Sequence, residues 1–337
     1  MKNLFFLLFI LFSRILFSQE LLLINTELKT SFRGLSIVDE NIAWISGNNG
    51  YIGTTINAGS KWHFFQIPGY ETLDFRSIYA FDENKAIVAN AGSPAFIFIT
   101  SNGGLTWHNV YTDQRKEIFI NGITFFNEKE GIIFGDPVES RMYLLRTLNG
   151  GNDWTESPFK ERPALLEGEA AFAASGTTIR SYNQNRIIIA SGGIVSRLFV
   201  SKDKGKSWKV FATPILQGKS STGIFSFDFA DNKTGIIVGG DYALDTLKTN
   251  HIFLSKDAGR NWQKPITETG GYRSSVEFID GITLIATGTS GTDISHDGGN
   301  NWRKLSQEGF HVLRKSRTGK LVILAGSEGR IAIFKNE

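Results

Sequence analysis

The chain has no cysteine. That absence excludes disulfides, lipid anchoring through an N-terminal cysteine, and thiol chemistry of any kind. At 337 residues the chain can build a core without such staples. Net charge is scarce too. The formal value is +3, and it falls to +1 if Lys2 and Arg14 leave with an N-terminal leader. A surface so balanced argues against nucleic acid as a partner, so any cationic site must be local. The histidines at 63, 108, 251, 296 and 311 lack metal-ligand spacing such as His-Glu-x-x-His. No Gly-x-Gly-x-x-Gly opens a helix, which leaves a nicotinamide or flavin fold unsupported. No Gly-x-Ser-x-Gly elbow occurs either. Neither a cofactor nor a metal is expected, and no helical domain, linker or low-complexity stretch interrupts the chain.

Long apolar runs are confined to the start. Met1-Lys2-Asn3 is a short positive lead, and residues 4–12 are almost pure Leu, Phe and Ile. Arg14 breaks the run, which disfavours a stable membrane span. Ser18 precedes a plausible cleavage point. Residues 1–18 read as a secretory signal peptide, with an uncleaved anchor as the alternative. Residues 19–337 then form one domain, secreted or periplasmic, with no stable membrane span once the leader is gone.

What is abundant is glycine, with 36 copies, and phenylalanine, with 27. Six octets share the pattern [Ser/Thr]-x-[Asp/Asn]-x-Gly-x-x-Trp. They end at Trp62, Trp107, Trp154, Trp208, Trp262 and Trp302, separated by 45, 47, 54, 54 and 40 residues. That is the period of a β-propeller blade. The hydroxyl residue ends a strand, the Asp or Asn accepts bonds from the turn's own amides, and glycine supplies the positive φ of the reversal. The Trp starts the return strand and covers the hairpin.

Seven short apolar runs lie between these turns, from Ala43-Trp-Ile-Ser-Gly47 to Leu321-Val-Ile-Leu-Ala325, and they read as buried strands. Upstream of them stand alternating segments such as Phe32-Arg33-Gly-Leu-Ser-Ile-Val and Tyr272-Arg273-Ser-Ser-Val-Glu-Phe, which read as half-buried strands. Four strands in each of seven units make an all-β, seven-bladed β-propeller. The seventh unit has no Trp hairpin, so its fourth strand is expected from residues 20–26, closing the ring and removing two exposed edges.

Channel-lining positions are the natural place for chemistry. Arg33, Arg76 and Arg273 each follow an aromatic at the head of a unit, and Asn121 takes that place in unit three. Guanidiniums gathered at a channel mouth attract a carboxylate or phosphate. The alternative is that each pairs with a neighbouring blade's carboxylate, such as Asp74 or Glu277. The Asp and Asn residues of the Trp octets are turn caps on the blade periphery rather than a catalytic series. The acid pairs Asp136/Glu139, Glu167/Glu169 and Asp241/Asp245 fall on turns or loops, where solvated carboxylates are commoner than Ca²⁺ ligands.

The Trp octet resembles the Asp-box (BNR repeat) of sialidase-type and sortilin-like propellers. The fuller unit resembles the family of photosystem II stability/assembly factors and its non-photosynthetic bacterial relatives, over nearly the whole mature chain. That resemblance implies an assembly or binding scaffold with a protein partner and no catalytic residues. Gly135-Asp136-Pro137, the Gly168–Gly176 stretch containing Glu169, and Gly239-Gly-Asp241-Tyr242 are similar to segments of a bacterial subgroup, without assigned chemistry. Sialidases start with an aromatic-Arg pair, as in Phe32-Arg33, but Gly34-Leu35 departs from their continuation. A sialidase-like glycoside hydrolase or lyase acting on an acidic glycan is therefore the second expectation, with Tyr242, Glu169 and Asp136 as its candidate residues.

Overall fold

A computed structural model of the chain describes residues 19–336; the leader reading falls outside them. Strands arrange in a ring of seven sheets, each the blade of a propeller. Blade 1 comprises Phe32–Ile37, Ala43–Gly47, Tyr51–Thr55 and His63–Gln66, paired antiparallel in that order. Blades 2, 3, 4, 6 and 7 begin with Phe75–Ala80, Ile120–Phe125, Ile179–Tyr182, Ser275–Phe278 and Val312–Lys315. First strands of most neighbouring blades touch one another, which puts them at the axis. We name the end of the ring where they begin the entry face and the opposite end the exit face. Antiparallel order then places the six Trp hairpins on the exit face.

The first strands were expected to be half-buried, which holds for Ile179–Tyr182 and Val312–Lys315 but not for every blade. Ile120–Phe125 and the first strand of blade 5, Thr222–Phe229, are buried along their whole length. A propeller packs its innermost strands between two neighbouring blades as well as around the axis, so both sides lose water. Apolar clusters accordingly join each blade to the next, as Phe32, Leu35 and Ile45 of blade 1 join Val312, Ile323 and Ile333 of blade 7.

The ring closes as the seventh unit requires. Gln19–Ile24 pairs in continuous register with Ile331–Asn336, from Gln19 opposite Asn336 to Ile24 opposite Ile331. Leu21 and Ile24 pack against apolar clusters of blade 7.

The hairpins cap themselves. In blade 3 the Thr147 hydroxyl accepts the Gly151 N–H at 2.9 Å, and Asn149 Oδ1 accepts the Asp153 N–H at 3.0 Å. Gly151 has φ +87, where a side chain would be strained and would strike Ile87. The Trp154 indole N–H then closes on the Gly151 carbonyl at 3.1 Å.

Blade 5 departs from the pattern. Its Trp-bearing return strand shrinks to one bridge between Leu254 and Gln263. On its axial side the sheet gains two short strands, Gly192–Gly193 and Glu169–Ala170. Their approach is so close that a Cβ on Gly223 would lie 2.4 Å from the Gly192 Cα.

Candidate functional site: the entry mouth and its plug

A register shift aims the first side chain of several blades. The ladder skips Arg33 between Phe32 and Gly34, Arg76 between Phe75 and Ser77, Asn121 between Ile120 and Gly122, and Phe225 between Ile224 and Ser226. One extra residue bends the strand and redirects its side chain. Following the same ladder places Thr177, Ser274 and His311 at the equivalent positions of blades 4, 6 and 7. The entry mouth is thus a ring whose cationic arc is Arg33 and Arg76, with His311 beside them.

Arg33 is the unusual member. Its Nη1 donates to the Ala174 carbonyl at 3.2 Å, and no carboxylate among the described residues pairs with it. Burial lowers its pKa, and the positive charge of Arg76 lowers it further. Arg76 donates from Nε to Asp74 Oδ2 at 2.7 Å, a pairing within its own blade rather than between neighbouring blades. Burial, followed by the charges of Arg33, Arg76 and Arg330, depresses the His311 pKa to about 3. His311 is therefore neutral at physiological pH, held so first by burial and then by the cations around it.

Arg273 does not reach this mouth. Ser275 opposite Thr287 matches Gly34 opposite Ser46, so Arg273 occupies the place of Phe32 and not of Arg33. Its amide confirms the register by donating to Gly239 O, as Phe32 donates to Gly326 O of the preceding blade. One residue of slip turns the side chain to the other face. Arg273 is fully buried and bonded to Asp293 inside blade 6. Glu277, a partner weighed for the arginines, pairs instead with Arg180. Asn121 keeps its ring position, buried, and donates to Asp136 Oδ1 at 2.7 Å.

The channel is plugged by its own chain. Residues 173–178, which lead into blade 4, are buried. Ala174 O meets Arg33 of blade 1, and the Ser175 hydroxyl donates to Ser274 O of blade 6 at 2.7 Å. Gly176 O accepts from Arg314 of blade 7 at 3.1 Å, and the Thr177 hydroxyl donates to Ser226 of blade 5 at 2.7 Å. Four blades hold one short segment. Beside it Phe172 stacks on Phe225 with centroids 3.8 Å apart, and Tyr272 and Tyr242 meet Phe225 edge-on. The mouth therefore has an aromatic arc opposite blades 1 and 2.

The other sequence candidates gather round the same segment in supporting roles. Asp136 Oδ1 also accepts the Ala171 N–H at 3.2 Å, and burial raises its pKa. Glu169 is buried and takes bonds from Arg197, the Ser191 hydroxyl and the Leu166 amide. Asp241 caps its own turn through the Ala243 N–H. Tyr242 remains 53% exposed at the rim of the aromatic arc. The carboxylates of Asp136 and Glu169 are both consumed by bonds that hold the plug's approach. Among the described residues no group of three or more His, Asp or Glu could hold a metal ion.

Sequence reasoning missed His311, although Phe310-His311 repeats the aromatic-x head of the other units. It also missed the exit side. Below the plug a cavity of about 260 Å³ is lined by Ser36, Tyr79, Thr124, Arg180, Glu277 and Arg314, one from each of six blades at a common level. Asp228 stands at that level in blade 5.

No family model matches the chain, and no curated protein does. Solved structures do. YCF48 bound to D1 peptide aligns at TM-score 0.69 and 14% identity, over 94% of this chain and 97% of that one. YCF48 from Cyanidioschyzon merolae aligns at 0.69 and 16%, over 94% and 98%. The WD40 β-propeller domain of Doa1 aligns at 0.64 and 10%, over 95% and 98%. At such identities the likeness establishes the fold, a seven-bladed propeller similar to that of YCF48, a photosystem II assembly factor.

Proposed function

We propose that this protein is a non-catalytic binding scaffold, secreted or periplasmic, that seats a partner protein on its entry face and takes an acidic group of that partner on Arg33 and Arg76. One observation carries the reading. Arg33 has lost much of its water without gaining a carboxylate, and a second guanidinium stands next to it. A desolvated cation without a counter-ion is costly unless something anionic arrives. The aromatic arc beside it offers Tyr242 as an exposed contact of the type enriched at protein interfaces.

The propeller fold supports the reading. YCF48 has been solved with a D1 peptide bound, so a ring of this shape accepts a peptide. Among the described residues no helix is long and apolar enough to cross a membrane.

The test is binding of fluorescent acidic peptides, matched to their amidated counterparts, to the wild type and to an Arg33→Gln/Arg76→Gln variant. The expected result is a preference for the acidic series that drops at least tenfold in the variant, about 1.4 kcal/mol, with an unchanged thermal midpoint. Equal affinity of the variant for the acidic series would sink the proposal.

A further inference from the structure

The exit side of the channel holds a second concentration of charge, separated from the mouth by the plug. Its acids are already spent. Both Glu277 oxygens accept from Arg180, at 3.1 and 2.7 Å. Asp228 accepts from the Tyr182 hydroxyl at 3.2 Å and from the amides of Phe229 and Phe278, both at 2.9 Å, and lies 3.5 Å from Arg180. Arg180 in turn is saturated, since its Nε and Nη2 also reach the carbonyls of Phe227 and Val276.

The donors left over come from one run of blade 7, Arg314-Lys315-Ser316-Arg317, all four of which line the cavity. Arg314 uses one bond, from Nη2 to Gly176 O. Burial, then the Arg180 charge, lowers its pKa to about 10. Arg317 lies over the Tyr79 ring and donates from Nη2 to Ala80 O at 2.6 Å and, more loosely, from Nη1 to Ser36 Oγ at 3.4 Å, which leaves its Nε and its charge to an incoming anion. Lys315 lies near enough to Asp280 to lower that carboxyl's pKa, after burial and hydrogen bonds have acted on it. The Ser316 side chain is 4% exposed, and its hydroxyl has no partner among the described residues. That oxygen is closed off even from water, so the hydrogen-bond donors that open onto the cavity are those of the cations around it.

We propose that this exit-side cavity is a binding site for a small oxyanion, a phosphate or phosphate monoester, held by Arg314, Lys315 and Arg317. Phosphate suits the donors. Tetrahedral oxygens accept several N–H and O–H bonds at once, and charge-assisted bonds of this kind are the strong ones. The cavity is larger than the anion alone, so a small organic group on the phosphate is accommodated. The site is independent of the entry mouth, because residues 173–178 lie between the two.

The experiment titrates inorganic phosphate into the full chain at fixed ionic strength, read by calorimetry and by ³¹P line broadening, with glycerol 2-phosphate as a second arm. Saturable binding is expected. It weakens roughly tenfold, the equivalent of one lost charge-assisted bond, in Lys315→Gln/Arg317→Gln, and by a smaller factor in Lys315→Gln alone. Arg33→Gln/Arg76→Gln leaves it unchanged. Tighter binding of the ester assigns the ligand as a monoester, and tighter binding of phosphate assigns the free anion; either supports the site. Lack of saturation by about 10 mM in both arms, or equal binding by the exit-side variants, overturns it. Lys315 and Arg317 are at the cavity rim, so their double variant is expected to fold, and a matching thermal midpoint verifies that.

Discussion

Arg273 and Asp293 are bonded inside blade 6, Nε to Oδ2 at 2.8 Å, with the guanidinium wholly out of solvent. Removing one charge strands the other in a medium that cannot hydrate it. Arg273→Met is expected to cost roughly 3–5 kcal/mol, read from the midpoint of urea unfolding. Arg273→Met/Asp293→Leu should recover most of that loss, because the buried charge is gone altogether. A single variant within 1 kcal/mol of wild type would show that Lys304, 3.7 Å from Asp293 Oδ1, replaces the arginine.

His311 predicts a pH dependence with a definite sign. Its folded pKa lies at about 3, below the unfolded value near 6.5. The unfolded chain therefore takes the proton first. The contribution to stability is intact above pH 6.5 and is lost as pH falls from there towards 3. Between pH 6.5 and 5 the wild type should lose roughly 1–2 kcal/mol more than His311→Gln. Subtracting the two chemical-denaturation curves also removes the contribution of His251, whose pKa burial lowers in the same direction. Parallel curves across that window would contradict the burial and cationic surroundings assigned to His311.

Deleting residues 19–24 opens the ring at blade 7. Six register pairs are lost, together with the contacts of Leu21 and Ile24. A loss of several kcal/mol lowers the midpoint of a chain this size by roughly 10 °C, and calorimetry should show it. Retention of the wild-type midpoint would mean that blade 7 is stable with three strands.

The Trp hairpins should each contribute through one hydroxyl. Thr147→Val keeps the shape but leaves the Gly151 amide without its acceptor. The expected cost is about 1 kcal/mol, with the fold unchanged by circular dichroism.

Most of the architecture was written in residues that repeat. Trp, Gly and a hydroxyl at fixed spacing announced the blades, and the missing seventh hairpin announced the closing strand. The candidate mouth was only half legible, for a reason of register. Arg33 and Arg76 are distinguished by a bulge, and a bulge is a property of two paired strands rather than of one segment. Tyr272-Arg273 has the same local look but pairs one residue out of step, so its arginine turns inward. The exit cluster was harder still. Arg180, Glu277 and Arg314 are far apart in sequence and meet because each is the same rung of a different blade. Residues 168–176 stood out for their similarity to segments of a bacterial subgroup, yet nothing local says that four distant blades would grip them.

The segment that crosses the axis makes this ring a disc with two sides rather than a tube. Nothing can thread it, because the peptide units of residues 174–177 stand between the two ends. Arg33 holds one carbonyl of that stretch and Arg314 another, two residues along. The two guanidiniums anchor one stopper from opposite sides, so each surface keeps its own solvent and can hold its own ligand without the other.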